Sequence, residues 1–215
     1  MKEDNKLDFE ITEDSLKKLH HISKNMEGKT FHFYTHILYD IRTKLGEGEK
    51  TYLEIGSFAG ASISLVASHD YPTKCYTVDL GSPIPMEIVN KNVNTFKNDK
   101  SSFTYFKGNS QDKDIIDLVK NNVGEIDILF IDGDHTYKGV INDFENYSKL
   151  VKKGGYIIFD DYNDYLDSPY VKPAVNEIIS RIYDDYNIMG MVNNSFKVGD
   201  LDNVGGNCFI IRKNN

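Results

Sequence analysis

The sequence predicts an open, doubly wound α/β fold: a mostly parallel sheet with a C-terminal antiparallel strand pair, preceded by two N-terminal helices. Three observations predict it. From Thr51 onward, short β-like runs alternate with helical stretches of about 10–15 residues, the pattern of βαβ units. The runs Ile126 to Asp132 and Gly155 to Asp160 are apolar without alternation, as strands covered on both faces must be. The last two β-like runs are joined by the Gly/Asn-rich segment Asn193 to Asn207, which suits an antiparallel return.

Each element follows from its pattern. Thr12 to Ser23 places Leu16, Leu19 and Ile22 on one helical face, with Thr12 or Asp14 as cap. Phe31 to Leu45 repeats the spacing with Phe33, Ile37, Leu38, Ile41 and Leu45 before Gly46-Glu47-Gly48-Glu49 breaks it. Strands are expected at Thr51 to Ile55, Cys75 to Leu80, Phe103 to Phe106, Ile126 to Asp132 and Gly155 to Asp160. The intervening helices are a segment through Ser68, Glu87 to Lys97, Asp112 to Lys120 and Tyr137 to Val151. Pro173 to Tyr186 is the last helix, and Ile188 to Val192 and Cys208 to Arg212 are the closing strands. Residues 1–48 form an N-terminal helical extension, a lid over a site or a subunit interface in a homo-oligomer, and residues 49–215 form the main domain.

Composition narrows the function. With 215 residues, a hydrophobic fraction of 40% and 12% aromatics, the chain can bury a core and is not intrinsically disordered. Lys+Arg 25 against Asp+Glu 33 leaves a net charge of −8, which argues against a nucleic-acid partner. No apolar run has the length of a membrane helix, and Met1 to Asp8 is charged where a secretory signal would be apolar. Cys75 and Cys208 lie in apolar β-like runs and read as buried reduced thiols. A cytoplasmic protein is expected.

In open α/β sheets, ligands bind beyond the carboxyl ends of the strands. The first strand ends in Glu54-Ile55-Gly56-Ser57-Phe58-Ala59-Gly60-Ala61-Ser62, an E-x-G-x-x-x-G spacing in place of the pyrophosphate-binding G-x-G-x-x-G. Gly56 and Gly60 allow a tight turn and a close approach of backbone to ligand. Asp79, ending the second strand, can accept hydrogen bonds from both hydroxyls of a ribose, or cap the turn before Ser82 and Pro83. Gly108-Asn109-Ser110-Gln111-Asp112, after the third strand, can read a purine or cap the next helix.

The fourth strand runs into Asp132-Gly133-Asp134-His135 and the fifth into Asp160-Asp161-Tyr162. If those strands are neighbours, Asp132, Asp160 and Asp161 converge, which is unfavourable unless a cation or shared protons offset the charge. Oxygen donors without thiolate favour Mg²⁺, with Mn²⁺ or Ca²⁺ as substitutes. The alternative is that Asp134 and Asp161 cap turns and the other acids are solvated. His135, three residues after Asp132, is placed to act as a general base. Asp164, Tyr165 and Asp167 follow in a loop, and His32, Tyr34 and His36 lie on the second helix. Both groups suit either an acceptor pocket or surface packing.

Taken in order, YLEIGSFAGAS, YTVDL, FKGNSQD, FIDGDHTY and KKGGYIIFDDY resemble the class I S-adenosylmethionine-dependent methyltransferases, from about Thr51 to Arg212. The resemblance implies a Rossmann-like fold with Gly56 and Gly60 beside the methionine of the cofactor and Asp79 on its ribose. It also puts Asn109, Ser110 and Gln111 near the adenine, and Glu54 organising the loop. Ser57, Phe58, Ser62 and Asp132 complete the implied cofactor contacts. Within that class, the pattern is similar to metal-dependent O-methyltransferases, catechol and caffeoyl-CoA types included. It is nearer still to the macrocin and mycinamicin O-methyltransferases and the cephalosporin-pathway CmcI-like proteins. That likeness implies Asp132, Asp160 and Asp161 as Mg²⁺ ligands and His135 as catalytic base, where catechol-type enzymes have a lysine. The implied acceptor is a small-molecule hydroxyl, on a sugar or natural-product vicinal diol. The rival expectations are a nicotinamide oxidoreductase and a non-catalytic nucleotide-binding protein.

Overall fold

The computed structural model describes residues 12–28, 35–193 and 207–215. It opens with α1 (Glu13–Asn25) and α2 (His36–Lys44). The alternating body follows: β1 (Lys50–Ile55), α3 (Ala61–Ala67), β2 (Thr73–Asp79), α4 (Met86–Phe96), β3 (Ser102–Lys107), α5 (Lys113–Val123), β4 (Ile126–Ile131) and α6 (Tyr137–Tyr147). It closes with β5 (Val151–Phe159), α7 (Val171–Ile182), β6 (Tyr186–Asn193) and β7 (Asn207–Lys213). One 7-stranded sheet runs β3-β2-β1-β4-β5-β7-β6. All pairs from β3 to β5 are parallel, while β7 is antiparallel to both β5 and β6. This is the doubly wound sheet with an antiparallel C-terminal pair that the sequence predicts.

The central strands explain why this arrangement is stable. β4 is buried along its whole length. Leu129 and Ile131 face one apolar cluster under α5, α6 and α7, while Ile128 and Phe130 face the other, under α2, α3 and α4. β1 and β5 alternate in the same way, with Leu53, Ile55, Ile157 and Phe159 on the first side and Tyr52, Tyr156 and Ile158 on the second. A period of two with both sides apolar is what a sheet between two helical layers demands.

The N-terminal helices belong to the packed body. Ile37, Leu38 and Ile41 of α2 lie in the second cluster, and Leu19, Ile22 and Met26 of α1 pack with Tyr39, Ala59 and Leu65. Thr12 caps α1 by accepting from the Ser15 N–H, and buried Asp40 accepts from the hydroxyls of Thr12 (2.8 Å) and Ser15 (2.9 Å), which pins the helix start to α2. Phe31 to Tyr34 and most of the β6–β7 connection lie outside the described residues.

Several boundaries differ from the sequence reading: the helix expected at Pro173 to Tyr186 runs from Val171 to Ile182, and Tyr186 opens β6. The helix expected to run to Val151 stops at Tyr147 and tightens into a 3₁₀ turn at Ser148–Leu150. β5 then begins at Val151, not Gly155. The polar Lys152-Lys153-Gly154 stretch hides that start, because it pairs through a register shift opposite Ile126 and Ile128 with Gly154 at φ +77°. The order β5-β7-β6 also seats the last strand inside the sheet.

Candidate active site

The carboxyl ends of β2, β1, β4 and β5 lie side by side, since Ile55 pairs with both Val78 and Ile131, and Ile131 pairs with Phe159. The ladder continues one residue further: Gly56 N–H donates to Val78 C=O (2.8 Å), Asp132 N–H to Ile55 C=O (2.9 Å) and Asp160 N–H to Ile131 C=O (3.0 Å). Backbone pairing therefore places Gly56, Asp132 and Asp160 on one edge at the point where the chain changes winding direction.

A cleft of about 410 Å³ opens on that edge, with Gly56 and Phe58 after β1, Asp79 and Leu80 after β2, Asn109 and Ser110 after β3, and Asp132 and Asp134 after β4. Gly56 has φ +81°, and a Cβ there would stand 2.1 Å from the Asp132 carbonyl oxygen. No side chain fits. Gly60, at φ +82°, supplies the left-handed start of α3.

Asp79 organises this half. Its Oδ2 accepts from the Ser57 N–H (2.7 Å), the Ser57 hydroxyl (3.2 Å) and the Phe58 N–H (3.2 Å). Its Oδ1 accepts from the Gly81 N–H (2.7 Å) and the Tyr105 hydroxyl (3.1 Å). Beneath the loop, Glu54 is fully buried, accepts from the Tyr52 and Ser62 hydroxyls, and is pushed up to about 8 by burial. Glu54, Ser57, Gly60 and Ser62 thus shape the loop from behind. Gln111 is not among the cleft-lining residues; its side chain joins Asp134 Oδ2 (3.3 Å) to Asn142 (2.9 Å).

The second half lies across Asp132. His135 Nε2 is 3.2 Å from Asp132 Oδ1, and His135 Nδ1 is 3.4 Å from Asp161 Oδ2. Ser168 completes the network: its hydroxyl donates to Asp161 Oδ2 (2.8 Å) and its oxygen lies 2.9 Å from His135 Nδ1. Burial pushes the Asp132 carboxyl well above the usual carboxylate range, opposed by a hydrogen bond with Asp160 and reinforced by Glu54, Asp161 and Asp79. Phe58 (φ +45°) and Asp161 (φ +50°) are the non-glycine residues with positive φ among the described residues, one in each half. Such conformations store roughly 1–3 kcal/mol and persist only where the surroundings hold them.

Ser168 was not singled out by the sequence, where the loop offered Asp164, Tyr165 and Asp167. Its role comes from the fold of 161–168, and nothing in the local motif Asp-Ser-Pro-Tyr signals it.

Comparison with known proteins decides the family: the model described as a methyltransferase domain matches residues 53–162, the span from β1 to the β5 edge. The chain belongs to the methyltransferase domain family. Over 167 residues this methyltransferase is 42% identical to an uncharacterized protein of Acanthamoeba polyphaga mimivirus, covering 77% of this chain and 76% of that one. Among solved structures it resembles the O-methyltransferase TomG of Streptomyces achromogenes, involved in tomaymycin synthesis, with a TM-score of 0.64, 14% identity, and coverage of 97% of this chain and 93% of TomG. MycE of the mycinamycin pathway, solved with Mg, SAH and mycinamycin VI, has a TM-score of 0.63, 15% identity, and coverage of 94% of this chain and 53% of MycE. At such identities these two likenesses establish the shared fold.

In this methyltransferase, Asp132, Asp160 and Asp161 are the expected metal ligands, and as oxygen donors they suit a hard divalent cation. Among the described residues, no three His, Cys, Asp or Glu side chains are arranged as a metal-holding group. His135 bridges Asp132 and Asp161 instead.

Proposed function

We propose that this methyltransferase moves the methyl group of S-adenosylmethionine to a hydroxyl of a small molecule, with a sugar or other vicinal diol as acceptor class. The observation that carries the reading is the position of Asp132, which belongs to both the cleft wall and the His135 network. The nucleoside lies between the Gly56–Phe58 turn and the Asn109–Ser110 segment, with its ribose hydroxyls exchanged onto Asp79 in place of the Ser57 and Tyr105 hydroxyls. TomG and MycE, solved with SAM and with SAH, share this fold and support a cofactor of that kind.

His135 is the base. Ser168 gives its own proton to Asp161 and so accepts from Nδ1–H. That fixes the tautomer and leaves Nε2, on the Asp132 side, to take the acceptor proton. The acidic edge of Asp79, Asp160 and Asp161 favours a sulfonium close by. The rest of the catalysis is positioning: a near-attack arrangement of methyl and oxygen supplies about 7–11 kcal/mol. Asp132, Asp160 and Asp161 are the residues that would hold a divalent cation, Mg²⁺ or Mn²⁺ or Ca²⁺ in its place, and such an ion would lower the pKa of the acceptor hydroxyl. The setting proposed is the cytoplasm, which keeps the buried thiols of Cys75 and Cys208 reduced.

The test is transfer of labelled methyl to a panel of sugars, catechols and other diols, with Mg²⁺ and with EDTA, beside a melting-temperature titration with Mg²⁺ alone. Methylated diol and a Mg²⁺-dependent rise in melting temperature are expected. Failure to bind S-adenosylmethionine overturns the cofactor, and undiminished turnover in EDTA overturns the metal.

A further inference from the structure

Helix α6 carries polar side chains that neither line the cleft nor belong to the His135 network, and they converge on one short stretch of chain. Asp143 is fully buried, and its Oδ1 accepts from the Ser110 hydroxyl at 2.7 Å. Tyr147, one turn along, donates its hydroxyl to the Ser110 carbonyl at 2.7 Å. Asn142 donates to the Gln111 side-chain carbonyl at 2.9 Å. The second oxygen of Asp143 is buried without a hydrogen-bond partner among the described residues. It sits 3.4 Å from where a Cβ of Gly133 would stand, directly under the cleft wall.

This arrangement is poorly explained by stability. A buried carboxyl with one hydrogen bond costs more than an apolar side chain of the same size in that place. Burial, and then the facing Asp134, push Asp143 up to about 7; its other polar neighbours are Ser110 and Tyr147. What Asp143 does accomplish is geometric: it fixes the rotamer of Ser110, a wall residue of the cleft, from behind.

We infer that Asp143, acting through Ser110, is a positioning residue that holds the base-end wall of the cleft in its cofactor-binding shape. The inference rests on the reading that the cleft takes S-adenosylmethionine, and it adds a residue 33 positions away from the segment it controls.

The experiment is a calorimetric titration of the full chain with S-adenosylhomocysteine, for wild type, Asp143→Asn, Asp143→Leu, Ser110→Ala and the Leu/Ala double variant, with melting temperatures alongside. Asp143→Asn keeps an acceptor for Ser110 and keeps wild-type affinity. Asp143→Leu weakens binding about ten-fold with no fall in melting temperature, and that loss disappears in the Ser110→Ala background. Asp143→Ala removes the same acceptor without bulk and gives the same pattern should leucine overpack. Wild-type affinity in both Asp143→Leu and Asp143→Ala overturns the inference alone, as does an equal loss in the Ser110→Ala background. No binding to the wild type overturns the cofactor reading and the inference with it.

Discussion

Gly56 and Asp132 meet backbone to backbone: a Cβ on Gly56 would stand 2.1 Å from the Asp132 carbonyl oxygen and 2.9 Å from the Gly133 Cα. This contact joins the Asp79 side of the cleft to the His135 side. In the proposed function it would set how near the cofactor comes to His135.

Gly56→Ala therefore fails twice. The added methyl overpacks an immovable carbonyl, at about 1–3 kcal/mol, and the left-handed φ adds roughly 1–2 kcal/mol. Chemical denaturation should show a loss of that combined order, with cofactor affinity falling in whatever fraction remains folded. Unchanged affinity at unchanged stability would mean that the strands part more easily than their pairing indicates.

Asp143→Asn gives a prediction in pH. A carboxyl raised from 3.8 to about 7 on folding favours the folded state while it stays protonated. Its destabilising effect is absent below about 4, grows through the window from 4 to 7, and is complete above 7. The asparagine cannot ionise, so the variant should gain on the wild type up to about 4 kcal/mol as an upper bound. The gain appears between pH 4 and 8 in melts of both proteins. Parallel curves across that window would rule out burial of an ionisable Asp143.

Removing the proposed base separates chemistry from binding. His135→Ala should lower the methyl-transfer rate about 10²–10⁴-fold, while S-adenosylhomocysteine binds as in the wild type. Ser168→Ala frees Nδ1 and should cost less, about ten-fold in kcat with KM for the cofactor unchanged. A wild-type rate in His135→Ala would transfer the base role to another group.

Asp79→Ala removes an acceptor that gathers Ser57, Phe58, Gly81 and Tyr105, and that the proposed function assigns to the ribose. At about 1.5–3 kcal/mol for each charge-assisted hydrogen bond, calorimetry should record at least a hundred-fold weaker cofactor binding. Binding within a factor of three of the wild type would place the ribose elsewhere.

Much of this molecule is written locally. The double-sided apolar runs at Ile126 and Tyr156 predict buried parallel strands, while the folded chain decides which residue faces which helical layer. Gly56, Asp79 and Asp132 could be picked out by their places at strand ends, and the turn-capping use that the sequence left open for Asp79 is also present, in its bond from the Gly81 N–H. Local pattern stops at the polar start of β5, where Lys152 and Gly154 break the apolar signal although the backbone is paired.

Tertiary structure alone decided the rest. The sequence by itself determined the α/β class, the family-bearing motifs and the residues at each strand tip, since these depend on side-chain period and backbone freedom. Only the folded chain decided that β7 lies between β5 and β6, that His135 spans Asp132 and Asp161, and that Ser168 and Asp143 reach the site from behind. The physical reason is separation: hydrogen bonds between residues 33 apart, as for both Ser168 with His135 and Asp143 with Ser110, are set by how strands and helices stack, and leave no mark in local sequence.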